Sequence, residues 1–198
     1  MHVSNGEQLT TTPERPNDTA ERLAAVLNAS PSAAVAVFGE EPDPFGRRIA
    51  ARMGSRGVVY SIELCDDVPA ETEQRPLLGH VKLRHRDTDR LPLPDASLDL
   101  VVWAFAFRTL DHLGSMLAEA RRVLRPGGRF AIADWSSQDE PFGPSRDERV
   151  SAAACERCLS ASGFGLLGKL MLNASHYLVM GRRPLADSAA MRDAMMGT

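Results

Sequence analysis

The 198-residue chain is poor in cysteine, in net positive charge and in long apolar runs. Three cysteines, an odd number, do not make a disulfide framework. With 23 lysines and arginines against 26 aspartates and glutamates, the formal net charge is -3, which argues against a general nucleic-acid binder. No run approaches the ~20 apolar residues of a membrane span. The N-terminus is polar and lacks the apolar core of a secretory signal. The expectation is a cytoplasmic protein with neither a nucleic-acid nor a membrane partner. What is present is ordinary for a soluble domain: 43% hydrophobic and 25% charged residues, in a chain long enough for one substantial core.

The most informative stretch is Leu91 to Trp135, LPLPDASLDLVVWAFAFRTLDHLGSMLAEARRVLRPGGRFAIADW. Ser97 to Phe105 is apolar and β-rich, as a strand buried on both faces is. Leu113, Met116, Leu117, Ala120 and Leu124 recur at helical spacing, which predicts an amphipathic helix over Asp111 to Leu124. Arg121 and Arg122 stand in its last turn, where the helix dipole favours cations. Pro126 stops the helix, Gly127-Gly128 turns the chain, and Phe130 to Asp134 reads as a second strand. A strand–helix–strand unit of this length is a right-handed parallel crossover.

Elements alternate around it, predicting an α/β fold. Asp18 to Leu27 reads as a helix, opened by a capping arrangement of Asp18 with Glu21 and buried along Leu23, Val26 and Leu27. Residues 1–17 before it read as a flexible arm, or as a lid over a substrate site. Ala33 to Phe38 is a strand, and Pro44 to Met53 is a helix with Asp43 as N-cap. Val58 to Ile62 is a strand with Glu63 at its tip. Leu64 to His80 is expected to hold a short or irregular helix, and Val81 to Arg84 another strand. Glu148 to Ser162 is a helix through Val150, Ala154, Cys158 and Leu159. Phe164 to Leu172 and His176 to Gly181 form an antiparallel pair, and residues 184–198 a tail. Cys155 and Cys158 lie one helical turn apart. They read as helix packing, because structural zinc takes four ligands, and no metal is expected.

The run LPLPDASLDLVVWAFAFRTL, followed by RRVLRPGGRFAIADW, resembles the central part of class I S-adenosylmethionine (SAM) dependent methyltransferases. The branch it is most similar to is the ubiquinone/menaquinone-biosynthesis, or type 11, branch. The likeness runs from Ala33 to Arg183. It implies a three-layer Rossmann-like fold over residues 18–183, with a mostly parallel seven-stranded sheet and an antiparallel last strand. It also implies SAM as cofactor and methyl transfer to a small-molecule acceptor.

The family's first strand runs into an acid, a spacer and then Gly-x-Gly-x-Gly. Here Val37 stands where the acid belongs, Gly39 matches the first glycine, and Glu41 and Asp43 replace the other two. Carboxylates in this loop would repel the carboxylate of SAM by ~1–4 kcal/mol per close pair. Glu40 or Glu41 would instead replace the missing acid at its ammonium. Alternatively the loop is only a capped helix start. The chain would then be a methyltransferase-like protein without SAM, a noncatalytic partner subunit or ligand-binding protein. By resemblance, Glu63 receives the ribose hydroxyls, Asp87 faces the adenine amino group, Thr88 touches the ring edge, and Trp103 and Ala104 lie beneath the methionine. Phe105, Arg108 and Trp135 would line the substrate pocket, although buried aromatics also simply fill cores. Asp134 and His112 are the candidate proton acceptors, with His176 and Tyr177 behind them. A homodimer or a partner subunit is left open.

Overall fold

The computed structural model describes residues 16–39, 42–64, 72–77, 79–85, 90–105, 113–137 and 143–185. Its frame is a parallel sheet in which β1 (Ala34–Gly39) lies between β2 (Val58–Leu64) and β5 (Leu98–Ala104). Outward from β2 come β4 (His80–His85) and β3 (Thr72–Leu77). Outward from β5 come β6 (Leu124–Trp135), β8 (His176–Arg182) and β7 (Gly165–Met171). The order is β3-β4-β2-β1-β5-β6-β8-β7, with β8 antiparallel to both of its neighbours and β3 antiparallel to β4.

Central strands with helices on both sides are mostly apolar, and alternate residues feed two cores. On one face Phe38, Trp103, Phe130 and Ile132 pack with residues of α3 (Leu113–Val123) and α4 (Ala152–Ala161). On the other, Val35, Val37, Val102, Ala131 and Ala133 pack with α1 (Pro16–Leu27) and α2 (Pro42–Met53). The expected stripe of α3 is buried at Met116, Leu117 and Ala120, joined by Val123. The carbonyls at the end of α3 have no partners within the helix. Arg183 supplies one, its Nη1 donating to the Arg121 oxygen at 2.9 Å.

Several boundaries differ from the sequence reading. Val26 is 38% exposed, and Ala20 and Ala24 complete the buried stripe of α1 in its place. α2 starts at Pro42, so Asp43 lies in its first turn rather than at its cap. The segment expected to be an irregular helix contains strand β3, which makes eight strands among the described residues where seven were expected. The seven expected strands are all present; β3 is added outside them. Its Pro76 falls at the bulge between Gln74 and Leu77 on a sheet edge, where a missing N–H removes no ladder bond. The turn at Gly127 is a looped-out stretch within β6, whose register on β5 jumps from Leu98↔Leu124 to Leu100↔Arg129, and Gly127 has a φ of +80°. The helix expected from Glu148 is shorter. A 3-10 turn (Arg146–Glu148) precedes it, and Ser151 caps α4 by accepting from the Ala154 N–H. The arm before Pro16, most of the tail, and Asp111 and His112 lie outside the described residues. Among the described residues no helix is long and apolar enough to cross a membrane.

Candidate cofactor and substrate site

Parallel strands in an open α/β sheet present their carboxyl ends along one edge, where ligands of this architecture bind. Register places the expected residues there. Gly39 ends β1 opposite Ala104 of β5, and Ala104 lies opposite Ala133 of β6. Glu63 is one residue from the end of β2, exposed and paired in register with Arg84. Asp134 and Trp135 end β6, facing Tyr177 and His176 of β8.

Gly39 is required by geometry. Its φ is +140°, and a Cβ there would lie 1.9 Å from the Ala104 carbonyl oxygen. Only glycine lets β1 leave the sheet this close to β5. Asp43, in the place of the family's third glycine, does not leave a bare charge in the loop. Its carboxylate accepts from Arg47 at 2.9 Å, pairs with Lys82 at 2.8 Å and lies 3.6 Å from His80 Nε2. Partial burial presses its pKa upward. The hydrogen bonds and charges of Lys82 and Arg47 outweigh that, leaving it below the ordinary carboxylate value. Burial keeps His80 below its ordinary value, partly offset by the charge of Asp43. Ser61 Oγ meets His80 Nε2 at 2.8 Å. These contacts pin the first turn of α2 to β2 and β4. The expected repulsion therefore does not arise from Asp43. Glu40 and Glu41 lie outside the described residues.

The aromatic candidates separate. The Trp103 indole is fully buried between Phe38 and Phe130, at ring-centroid distances of 5.3 and 6.2 Å, so it is core rather than pocket wall. Phe105 turns out of β5 with a φ of +56°, a rare backbone state for a bulky residue. Its amide donates to the Ala133 carbonyl at 2.8 Å. Its ring meets Phe45 at 5.4 Å, His176 at 5.0 Å and Trp135 at 6.1 Å. Trp135 and His176 touch at 4.3 Å, and the Arg149 guanidinium lies 5.5 Å over the Trp135 ring. Phe105, Trp135 and His176 thus form one aromatic wall at the strand ends.

His176, placed behind Asp134 and His112 in the sequence reading, has a defined set of contacts at this edge. Its Nδ1 lies 3.3 Å from Thr19 Oγ1, and the buried Asn173 donates to the same hydroxyl at 3.0 Å. Asn173 also accepts from the His176 amide at 2.8 Å. Burial, then the charge of Arg149, push the imidazole pKa down to about 4, so it is neutral near pH 7. Asp134 is 5% exposed and accepts from the Trp135 amide at 2.7 Å. Strand alternation turns it to the α4 face, the side of Tyr177 and Cys155. Tyr177 donates to the Val150 carbonyl at 2.9 Å and meets Cys155 Sγ at 3.0 Å. Burial raises the Tyr177 pKa, and it pushes the Cys155 thiol up to about 12, so both serve packing. Asp87, Thr88, Arg108 and His112 lie outside the described residues.

The family model of the methyltransferase domain, Methyltransf_11, matches residues 46–132. The chain is 31% identical over 150 residues to the ubiquinone/menaquinone biosynthesis C-methyltransferase UbiE of Ectopseudomonas mendocina (strain ymp), a match covering 73% of this chain and 53% of the relative. It is 34% identical over 103 residues to the enzyme of the same name from Bordetella avium (strain 197N), covering 51% and 40% respectively. A SAM-dependent methyltransferase from Aquifex aeolicus superposes with a TM-score of 0.73 at 20% identity, over 86% of this chain and 93% of that one. The chain thus matches the methyltransferase domain over residues 46–132 and has the Rossmann-like fold of SAM-dependent methyltransferases. It spans about half the length of the curated relatives it matches. The chemistry of the edge is compatible with SAM: Gly39 adds no side chain at the end of β1, where the amino-acid end would lie, and Glu63 presents an exposed carboxylate near the end of β2, where the ribose would lie.

Proposed function

We propose that the chain transfers the methyl group of SAM to a small molecule held at the carboxyl edge of the sheet. The observation behind this reading is the convergence there of Gly39, Glu63, Phe105, Asp134, Trp135 and His176 from five strands and their ends. Bound SAM supplies an electrophilic methyl group on a sulfonium. Gly39 would let backbone approach the cofactor, Glu63 would accept its ribose hydroxyls, and Asp87 and Thr88 would contact the adenine. Glu40 or Glu41 would meet the ammonium. Phe105 and Trp135 would exclude water and orient a flat or apolar acceptor. Placement of two reactants supplies much of the acceleration of such a displacement.

An acceptor that must lose a proton needs a group in its basic form. His176 is in that form at neutral pH, with its Nδ1 3.3 Å from Thr19 Oγ1, and Asp134 lies on the other face of the strand ends, opposite Tyr177. His112 and Arg108 remain further candidates by resemblance. The test is calorimetric titration of SAM and S-adenosylhomocysteine into the wild type and Glu63→Ala. Binding in the micromolar range, weakened at least ~10-fold by the substitution, is expected. A folded protein that binds neither ligand at millimolar concentration overturns the reading.

A further inference from the structure

The opposite end of the sheet holds a feature that methyl transfer does not use. Arg129 of β6 and Arg182 of β8 are direct cross-strand partners in the antiparallel ladder. Side chains so placed share a face and lie ~5 Å apart at Cβ, and like charges there destabilise the pair. Arg129 is partly buried. Neither guanidinium has an ion pair or side-chain hydrogen bond among the described residues. Burial, and then the charge of Arg182, hold the Arg129 pKa below its ordinary value. The one carboxylate beside them, Asp99, is engaged elsewhere: it accepts from Arg125 at 2.6 Å and from the Ala34 amide at 2.8 Å. The two arginines line an open depression of about 580 Å³, together with Ser30 and Ser32, whose hydroxyls lie 3.5 Å from each other. That volume suits a small molecule.

We propose that this depression is a second binding site, for a small phosphate-bearing anion held between Arg129 and Arg182. Two guanidinium forks on one face match the oxygens of a tetrahedral dianion, and the serine hydroxyls add neutral donors. A dianion at this point also offsets the arginine–arginine repulsion. The site lies at the amino ends of the parallel strands, across the sheet from Gly39 and Glu63, and the proposal is independent of the methyl-transfer reading.

The test titrates inorganic phosphate and pyrophosphate into wild type, an Arg129→Gln/Arg182→Gln double variant and an Arg129→Lys/Arg182→Lys double variant, at low and constant ionic strength. Saturable binding to the wild type is expected, at least ~10-fold weaker in the glutamine variant and intermediate in the lysine variant, which keeps the charge without the fork. Without phosphate, the glutamine variant should melt at a temperature equal to or above the wild type, because the like-charge pair is gone. Sulfate should bind at the same site, as it shares the charge and shape. An equal response to acetate or chloride marks screening alone and overturns the proposal. So does phosphate binding that the glutamine variant retains, or no binding at ~10 mM phosphate.

Discussion

Gly39 separates a residue needed by the fold from one that binds a ligand. A methyl group there meets backbone, the Ala104 carbonyl, which cannot rotate away. Gly39→Ala should therefore destabilise the protein by ~3 kcal/mol, read from chemical denaturation with or without SAM. A loss below ~1 kcal/mol would mean that β1 leaves the sheet by another path. His176 makes the opposite kind of prediction, in pH. Its folded pKa, about 4, lies below the ordinary histidine value of 6.5. Between those two values the unfolded chain takes up a proton that the folded chain refuses, so stability falls as the pH drops through this window and is fully present above it. After allowance for solvent screening the loss is ~2 kcal/mol. His80 is shifted in the same direction and adds to the slope. Only the difference between wild type and His176→Gln isolates His176, and urea midpoints at several pH values would measure it. Identical pH slopes in the two proteins would place His176 in solvent rather than in the aromatic wall.

At the level of elements, long periodic segments were legible in the sequence and edges were not. The crossover from β5 through α3 to β6 follows from apolar runs, a helical stripe and the Pro126–Gly128 turn, all local signals. β3 carries no such signal, since an edge strand with a proline takes its order from the ladder offered by β4. Likewise the N-terminal extension of α2 depends on Lys82 and His80, which β4 brings to Asp43 from a distant part of the chain. The strand-tip candidates Gly39, Glu63, Asp134 and Trp135 could be read because strand ends are local. The surroundings of His176 could not, because its partners come from α1, from β5 and from the antiparallel pairing of β8. That pairing yields a prediction about α1. Asn173 is 8% exposed, donates to Thr19 and accepts the amides of Ser175 and His176. Asn173→Ala leaves these buried groups unpaired and should cost ~2 kcal/mol. It should also raise amide exchange across α1, which Arg22 helps tie to this hairpin by donating to the Leu172 carbonyl at 2.9 Å. Unchanged exchange in α1 would show that hydrophobic packing of Leu23 and Leu27 holds the helix unaided.

For the whole molecule, one sheet shared by two cores joins the carboxyl edge to the rest of the fold, so a ligand bound at that edge should stabilise everything. S-adenosylhomocysteine at about 100 times its dissociation constant adds ~2.7 kcal/mol by mass action. For a domain of this size that corresponds to a rise in melting temperature of roughly 5–10 °C. Glu63 is exposed and holds no part of either core, so Glu63→Ala should melt near the wild type without ligand and lose most of the rise with it. Arg129→Gln/Arg182→Gln lies at the other end of the strands and should keep the full rise. If Glu63→Ala lowers the ligand-free melting temperature by as much as it lowers the rise, the glutamate supports the end of β2 rather than the ribose. If the arginine variant also loses the rise, the two ends of the sheet are energetically coupled. The phosphate titration would then have to be repeated with S-adenosylhomocysteine present, to measure the coupling from both sides.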